Sequence, residues 1–292
     1  MHELQYSAPS SVEEAVELLA ETTRDPQVLA GGTDLLIRLR AGSCRSRHLV
    51  DVKRIPEMND LSVNVRTGLR IGGAVSCALL VDHPTARRLY PGLVEAAALI
   101  GSTQIQNRAT LAGNLCNGSP AADTTPALLV LDATCTLAGR GGRRQVAIAD
   151  LLTAPGRTAL EPAELLVEIR VPPPPRSSAD AYERLTPRSE MDIAVAGVGA
   201  QIELDADGRC RGARIALGAV GPRAFLATDA ATSLLGARID EVARTRAGTL
   251  AARAARPISD KRGPAAYRRE ITAVLTRRVV ARAAQRAQET ES

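Results

Sequence analysis

Two short glycine-containing segments have the composition of phosphate-binding loops. The first, Ala30–Asp34, reads AGGTD, and the second, Ala109–Asn114, reads ATLAGN. Glycine lets backbone N–H groups approach an anion without a Cβ clash, and a helix that begins after such a loop favours negative charge. Thr33, Thr110 and Asn114 add hydrogen-bonding side chains. Taken alone, each segment indicates either a phosphate site or a tight turn.

Asp123 is a further candidate for contact with a nucleotide. It follows the sequence SPAA, and a carboxylate near a nucleotide can accept hydrogen bonds from ribose hydroxyls. The same residue could instead be the N-cap of a helix that runs through Leu128. The local sequence leaves both interpretations open.

Several common kinds of chemistry lack their sequence signals. There is no P-loop pattern and no G-x-G-x-x-G between a strand and a helix, which disfavours a nucleotide triphosphatase. The histidines His2, His48 and His83 lie in segments without a nucleophile elbow, so we predict no catalytic side chain. No two cysteines form a C-x-x-C pair, so we predict reduced thiols and no metal site. These cysteines are Cys44, Cys77, Cys116, Cys135 and Cys210.

The charge balance is basic without a basic block. The net charge is +5 and the pI about 9.2, but Lys53 and Lys261 are the only lysines, and the arginines are spread among acidic residues. Tryptophan is absent and Phe225 is the only phenylalanine, so stacking platforms for bases are few. We therefore predict no nucleic-acid binding.

Composition and hydropathy indicate a globular protein. Hydrophobic residues make up 45% and charged residues 24% of the chain. The N-terminus lacks a basic segment followed by an apolar run, and no stretch reaches the roughly 18 apolar residues of a membrane helix. We expect a cytoplasmic protein that does not span a membrane.

The elements before the first glycine segment and just after it form a small α/β unit. Ser10 and Glu13 have the spacing of a capping box that opens an amphipathic helix. Gln27–Ala30 has the pattern of a buried strand, and apolar spacing after Leu35 predicts a helix up to Gly42. A second strand is predicted at 48–53. The first glycine segment therefore lies at a strand-to-helix junction.

The second glycine segment lies in a long polar stretch. A strand is predicted at Leu69–Ala74 and a helix at Leu89–Ile100, but Gly101–Thr125 is rich in small and polar residues. We expect this stretch to contain too little apolar surface to be buried as a regular element. Because a long polar stretch between core elements is usually functional or disordered, we interpret it as functional.

Four consecutive prolines indicate a domain boundary. The strand predicted at Leu165–Val171 stops at Pro172–Pro175, which can continue neither a sheet nor a helix. Beyond it, the segments Ile193–Leu204 and Arg211–Val220 bracket a turn signal and predict a hairpin. The helix predicted at Tyr267–Ala287 has one apolar face and ends in a polar tail.

The two glycine segments together carry a resemblance. Ala30–Leu36 reads AGGTDLL and Ile100–Leu129 reads IGSTQIQNRATLAGNLCNGSPAADTTPALL. This pair resembles the FAD-binding subunit of the xanthine dehydrogenase and carbon monoxide dehydrogenase family of molybdenum hydroxylases. The resemblance continues through Glu164–Leu166 and resumes at Asp260–Arg268, which reads DKRGPAAYR. It therefore covers nearly the whole chain.

The resemblance implies an α+β fold with two parts. Residues 1–175 would form a two-subdomain FAD-binding fold of the PCMH, or vanillyl-alcohol oxidase-like, type, with subdomains at about 1–55 and 56–175. Residues 176–292 would form a C-terminal domain of a small antiparallel sheet plus helices.

The same resemblance implies which positions contact FAD. The first loop would line the diphosphate, the second would hold diphosphate and ribityl groups, and Asp123 would contact the adenosine side. The sequence departs from the family pattern at Ala112, where glycine is usual, at Gln106, where arginine is common, and at Arg184, which is lysine in some members. A positive φ at Ala112 would cost about 1 kcal/mol. The implied cofactor-binding residues are Ala30, Gly31, Gly32, Thr33, Asp34, Leu35, Ile100, Gly101, Thr110, Ala112, Gly113, Asn114, Asp123, Leu166 and Arg184.

The function implied is electron transfer within a complex. FAD would be held non-covalently, since neither loop contains a histidine. A large molybdenum-cofactor subunit would oxidise the substrate, and a small [2Fe-2S] subunit would deliver the electrons, in an α2β2γ2 assembly. NAD, oxygen and a quinone-linked carrier are all open as acceptors. The alternatives are an independent FAD-dependent oxidase and a scaffold protein that has lost the cofactor.

Overall fold

The computed structural model of the chain describes residues 4–289. Within this range the strands form sheets of three, five, four and two strands, and the helices lie between and across them. The predicted α+β class is confirmed. His2 and the last residues of the predicted polar tail lie outside the described residues.

The N-terminal unit is a small parallel sheet with one helix against it. β1 (Gln5–Ser7) and β2 (Pro26–Leu29) pair on either side of β3 (His48–Asp51), and all three run in parallel. Between them lie α1 (Val12–Leu19) and α2 (Leu35–Arg40). Because the carboxyl ends of parallel strands meet at one edge, the segments that follow β2 and β3 are neighbours. The buried face of α1 consists of Val12, Ala15, Val16 and Leu19.

The cap of α1 lies one residue later than predicted. The N-cap is Ser11, whose Oγ accepts a hydrogen bond from the Glu14 backbone N–H at 3.1 Å. The Glu14 carboxylate in turn accepts from the Ser10 N–H at 2.8 Å. The pairing of Ser10 with Glu13 was therefore wrong, because serine and glutamate each occur twice in succession and the sequence offers both registers.

An antiparallel five-stranded sheet is the centre of the first half of the chain. Its strand order is β4-β5-β10-β6-β7. The small hairpin of β8 and β9 stands apart from it. The bounds are β4 (Leu61–Asn64), β5 (Gly68–Gly72), β6 (Thr134–Gly139), β7 (Gly142–Ala147), β8 (Leu152–Ala154), β9 (Arg157–Thr158) and β10 (Leu165–Val171).

The central strand β10 connects two hydrophobic cores. Leu165 and Val167 pack with α1 and the N-terminal unit, whereas Leu166 and Ile169 pack with the helices on the opposite face. A β-bulge between Leu166 and Glu168 shifts the register against β6. The start of β10 therefore lies where the N-terminal unit and the sheet meet.

The polar stretch 101–125 is more regular than predicted. It contains α6 and α7, and Leu111 and Leu115 of α7 are fully buried. The helix predicted over Leu89–Ile100 is confirmed as α5, with the narrower bounds Pro91–Ala98, because Pro91 begins a new helix directly after α4. The helices are α3 (Cys77–Asp82), α4 (Pro84–Leu89), α5 (Pro91–Ala98), α6 (Thr103–Gln106), α7 (Leu111–Cys116), α8 (Thr124–Val130) and α9 (Ile148–Leu151).

The second half of the chain has its own sheet and core. The antiparallel strands follow the order β11-β12-β13-β14, and the long helix α12 packs across β11 and β12. Leu275 and Val279 of α12 are buried as predicted, but Ile271 and Val274 are only half-buried. The bounds are β11 (Ser178–Leu185), β12 (Ala196–Leu204), β13 (Cys210–Gly218), β14 (Phe225–Leu226), α10 (Thr228–Thr232), α11 (Glu241–Ala254) and α12 (Ala265–Glu289).

Hydrogen bonds near α5 link the first half of the chain to the second half, which begins after the four prolines. The Tyr90 hydroxyl donates to the Pro172 carbonyl at 2.9 Å, and the Leu93 N–H donates to the Asp180 carboxylate of β11 at 2.9 Å. Asp180 is 1% exposed, and its Oδ1 has no hydrogen-bond partner within residues 4–289. Burial raises the pKa of Asp180 to about 7, and the backbone N–H groups of Gly92 and Leu93 counteract only part of that rise.

Within residues 4–289, none of the helices has the length and apolar character that crossing a bilayer requires.

Candidate cofactor site

The two glycine segments come together at one cavity of about 450 Å³. The first loop, Ala30–Asp34, connects β2 to α2, and the second, Ala109–Asn114, leads into the first turn of α7. The start of β10 closes the cavity from a third side. We call this space the glycine-loop cavity. Its predicted lining residues are Ala30, Gly31, Gly32, Thr33, Asp34, Leu35, Ile100, Thr110, Ala112, Gly113, Asn114 and Leu166.

The glycines of the first loop are required by the backbone itself. A Cβ at Gly31 would overlap the carbonyl oxygen of Arg108 and would lie 2.9 Å from the Cα of Ala109. Gly32 has φ +77°, a conformation that residues with a side chain rarely adopt. Gly31 therefore allows the first loop to pack against the second, a reason that the sequence alone did not indicate.

The first loop presents backbone donors without protein acceptors. Within residues 4–289 no acceptor meets the N–H groups of Gly32, Thr33 or Asp34. The Asp34 carboxylate accepts a hydrogen bond at 2.9 Å from Asn117, the C-cap residue of α7, which links the first loop to the helix that follows the second. Unpaired backbone donors beside a cavity suit an anionic ligand with several oxygens, such as a diphosphate.

The second loop is held by its own cap and leaves space above Gly113. The Thr110 side chain is the N-cap of α7 and accepts from the Gly113 N–H at 2.9 Å. A Cβ on Gly113 would meet only the Thr110 hydroxyl within 4 Å, so that side of Gly113 is open. The N–H group of Ala112, which lines the cavity, has no acceptor within the described part of the chain. This donor can also bind a diphosphate.

Asn114 is oriented by a residue that sequence reasoning missed. Its Oδ1 accepts a hydrogen bond from the buried Thr124 hydroxyl at 2.7 Å. The amide donor Nδ2 has no acceptor within residues 4–289 and is available to a ligand. Asn117 was missed as well, although it follows Asn114 by three residues and this spacing places both on one side of α7.

Neither Ala112 nor Gln106 disturbs the cavity. Ala112 lies in the first turn of α7, has no positive φ and is 6% exposed, so the strain considered for this position does not occur. The Gln106 side chain donates to the Ala98 carbonyl at 2.7 Å and does not line the cavity. Both departures from the family pattern are therefore compatible with a ligand in the cavity.

The charged groups of the cavity wall have mixed sign. Arg38 of α2 is the cationic side chain of the lining within the described residues, and Asp34, Glu161 and Glu164 are acidic. Glu164 pairs with Arg144 at 2.7 Å, and hydrogen bonds from that guanidinium lower the pKa of Glu164. Leu160, Glu161 and Ala163 also line the cavity, and the sequence carried no signal for them beyond their place before a predicted strand.

Three predicted site residues lie outside the lining of the cavity. Gly101 has φ +58°, and its carbonyl accepts a hydrogen bond from the Met191 N–H at 3.4 Å. Asp123 and Arg184 are buried and form an ion pair with each other. The glycine-loop cavity therefore does not bring these three together with the two loops.

Asp123 belongs to a contact between the two halves of the chain. One carboxylate oxygen accepts from the Tyr182 hydroxyl at 2.8 Å and the other pairs with Arg184, both from β11. Burial raises the pKa of Asp123 to about 6, and Arg184 and Tyr182 counteract part of that rise. Asp123 is the N-cap residue of α8, as one of the two interpretations predicted, but its side chain makes no hydrogen bond to the start of that helix. Its neighbour Thr124 connects this contact to Asn114 and the cavity.

Two family models match the chain and together span most of it. Residues 2–174 match the FAD binding domain in molybdopterin dehydrogenase, and residues 181–283 match the CO dehydrogenase flavoprotein C-terminal domain.

Individual proteins are similar over most of the chain. The carbon monoxide dehydrogenase medium chain of Afipia carboxidovorans is 34% identical over 285 residues, which is 97% of each chain. The xanthine dehydrogenase FAD-binding subunit of Escherichia coli O157:H7 is 35% identical over 218 residues, 74% of each chain. Among solved structures, a chain of the carbon monoxide dehydrogenase from Hydrogenophaga pseudoflava superposes with a TM-score of 0.91 at 33% identity, covering 97% of this chain and 98% of that one.

Proposed function

Because the chain belongs to the FAD-binding subunits of the molybdopterin dehydrogenase family, which includes xanthine and carbon monoxide dehydrogenases, we propose that it binds FAD in the glycine-loop cavity and carries electrons between a partner subunit and an external acceptor. It is an oxidoreductase subunit with FAD as its cofactor. In such complexes the molybdenum and iron–sulfur cofactors lie on other subunits.

The observation that carries the proposal is the convergence of unpaired donors from both glycine loops. The backbone N–H groups of Gly32–Asp34 and Ala112 and the Nδ2 of Asn114 have no protein acceptor within residues 4–289, and all of these residues line one cavity. A diphosphate bound in this cavity would supply acceptors for these donors. Because the two loops come from sequence positions about 80 residues apart, their meeting is a property of the fold.

We assign the cofactor contacts according to this geometry. Residues 30–35 would bind the diphosphate through the backbone, and residues 110–114 would bind diphosphate and ribityl groups, with Asn114 donating from Nδ2. Ile100 and Leu166 would pack against the flavin or adenine ring. The oxygens of Asp123 are already engaged by protein groups, so Asp123 and Arg184 would act on FAD through Thr124 and Asn114. Gly101 would act through the backbone beside Ile100.

The chain's own contribution is to bind and orient. Bound FAD supplies the capacity to take up electrons singly and to release them in pairs. Among residues 4–289 the cavity wall contains no histidine, and we assign no side chain as an acid or base. With no histidine in either loop, FAD would be held non-covalently.

The finer features of the complex are also proposals. We propose a small [2Fe-2S] subunit as electron donor and a large molybdenum-cofactor subunit as the site of substrate oxidation, in an α2β2γ2 assembly. Within this chain, we propose that the boundary between the FAD-binding domain and the C-terminal domain lies at Pro172–Pro175. The relatives are named as medium chains or FAD-binding subunits, which supports the presence of other chains. NAD, oxygen and a quinone-linked carrier are each retained as acceptors. The expected cytoplasmic location stays a prediction.

Purification from the native host tests the proposal. The tagged chain should co-purify with two further subunits, one FAD per chain, iron and molybdenum, and acid precipitation should release the flavin. Adding NAD, oxygen or a quinone to the substrate-reduced complex would then identify the acceptor. One flavin with oxidase activity and no partners would favour the independent oxidase, and a colourless protein without metals would favour the scaffold.

A further inference from the structure

Lys53 lies directly behind the first glycine loop. It follows the end of β3, in a short 3-10 turn over Val52–Arg54 that has Asp51 as its N-cap. Its ammonium group donates to the Ala30 carbonyl at 3.1 Å and pairs with the Asp51 carboxylate at 2.7 Å. The side chain thus connects the end of one parallel strand to the first residue of the loop after the neighbouring strand.

Asp51 holds Lys53 in place and is itself fixed from the opposite side. The Tyr6 hydroxyl of β1 donates to the second Asp51 oxygen at 2.6 Å. Burial alone would raise the pKa of Asp51, but hydrogen bonds from Lys53 and Tyr6 hold that pKa below its usual range. All three strands of the small sheet therefore contribute to one ordered contact beneath Ala30.

The contact with Ala30 constrains the donor side of the loop. The Ala30 carbonyl and the Gly31 N–H belong to one peptide unit, and the described residues contain no cis peptide bond. In a trans peptide these two groups point in opposite directions. Holding the carbonyl toward Lys53 therefore directs the Gly31 N–H away from Lys53, in a residue that lines the glycine-loop cavity.

We propose that Lys53 is a positioning residue for the diphosphate of FAD. It fixes the Ala30–Gly31 peptide so that the loop's N–H groups are oriented before the ligand binds, and it places an ammonium group, paired with Asp51, behind the loop. This inference rests on the proposed binding of FAD in the cavity.

FAD titration of the deflavinated protein tests the role of Lys53. Lys53→Met should raise the Kd for FAD about 10- to 50-fold, since it removes a charge-assisted hydrogen bond and frees the loop. Lys53→Arg should restore the affinity to within about threefold, because it keeps the charge and a donor. The matched control is Arg54→Met, because Arg54 is exposed on the same turn and makes no hydrogen bond in the described structure.

Salt dependence separates positioning from a general loss of stability. The Kd of the wild type should rise more steeply with ionic strength than that of Lys53→Met, because only the wild type has the ammonium behind the loop. If Lys53→Met does not fold, Lys53→Gln is measured in its place. Unchanged affinity in the Lys53 variant, or equal salt slopes, would overturn the inference.

The proposed binding of FAD and the proposed role of Lys53 can be refuted independently of each other. A wild-type protein that binds no FAD would refute the site itself. A wild type that binds FAD and is weakened by Gly113→Ala, but not by Lys53→Met, would refute the role of Lys53 alone.

Discussion

Replacing Gly113 with alanine should separate cofactor binding from folding. Gly113 lies in the first turn of α7, where its conformation is helical and suits any residue. A Cβ there would meet only the Thr110 hydroxyl, at 3.0 Å, and would otherwise enter the open side of the glycine-loop cavity. The substitution therefore adds one methyl group to the space assigned to FAD and almost nothing to the packed protein.

The expected effects on stability and on affinity have opposite signs. Alanine is favoured over glycine in a helix by about 0.5–1 kcal/mol. The Thr110 contact offsets part of this gain, so the free energy of unfolding of the FAD-free protein should be unchanged or slightly higher. Displacing a diphosphate from one charge-assisted hydrogen bond costs about 1.5–3 kcal/mol, so the Kd for FAD should rise roughly 10- to 100-fold.

Two measurements on the same preparation check this prediction. Denaturant unfolding of the deflavinated variant gives the stability, and quenching of flavin fluorescence on titration gives the Kd. Gly141→Ala is the matched control, because a Cβ there meets no atom within 4 Å and Gly141 does not line the cavity. An unchanged Kd in Gly113→Ala would refute the placement of FAD against α7, and a clear loss of stability would refute the view that this side of Gly113 is open.

Other substitutions test separate parts of the structure. Gly31→Ala should lower both the melting temperature and the flavin content, because its methyl overlaps the Arg108 carbonyl, and a wild-type flavin content would contradict the loop packing. Asn114→Ala should weaken FAD binding about tenfold and lower the free energy of unfolding by about 1–2 kcal/mol, since the buried Thr124 hydroxyl loses its acceptor. Adding Thr124→Val should restore stability in unfolding titrations without restoring the Kd. Because the pKa of Asp180 in the folded protein is raised to about 7, the protonated carboxyl contributes fully to the free energy of unfolding below about pH 4. This contribution is lost as pH rises through 7. Asp180→Asn should therefore gain about 2–4 kcal/mol relative to the wild type between pH 4 and 8 in unfolding titrations, and parallel pH profiles would contradict the burial argument.

Local sequence patterns were informative where one segment determines its own structure. The glycine segments, the helix at Val12–Leu19 and the strand Leu165–Val171 each have a composition or period that predicts their place in the fold. The polar stretch was misjudged because α6 and α7 are only four and six residues long, too short for a periodic signal. The predicted N-cap of α1 was one residue too early because two serines occur in succession and either could cap the helix.

Contacts between distant residues could not be predicted from the sequence. Asp123 pairs with Arg184, which lies 61 residues further along the chain, and no local pattern distinguishes this role from a helix cap. The same holds for Lys53 and Ala30, which are 23 residues apart. Gly31 was correctly chosen as a loop residue, but the packing partner that requires glycine, Arg108, becomes visible only in the fold.

The assembly of the cavity from widely separated segments determines when the cofactor can enter during biosynthesis. Ala30–Asp34 leaves the ribosome early, but Leu165–Leu166 follow only after more than half of the chain has been made. Since a chain emerges N-terminus first, a nascent polypeptide has one phosphate loop long before it has a closed cavity. If FAD occupies this cavity as proposed, it can bind there only after Leu165–Leu166 have been made, so we expect its loading to be a late event in maturation.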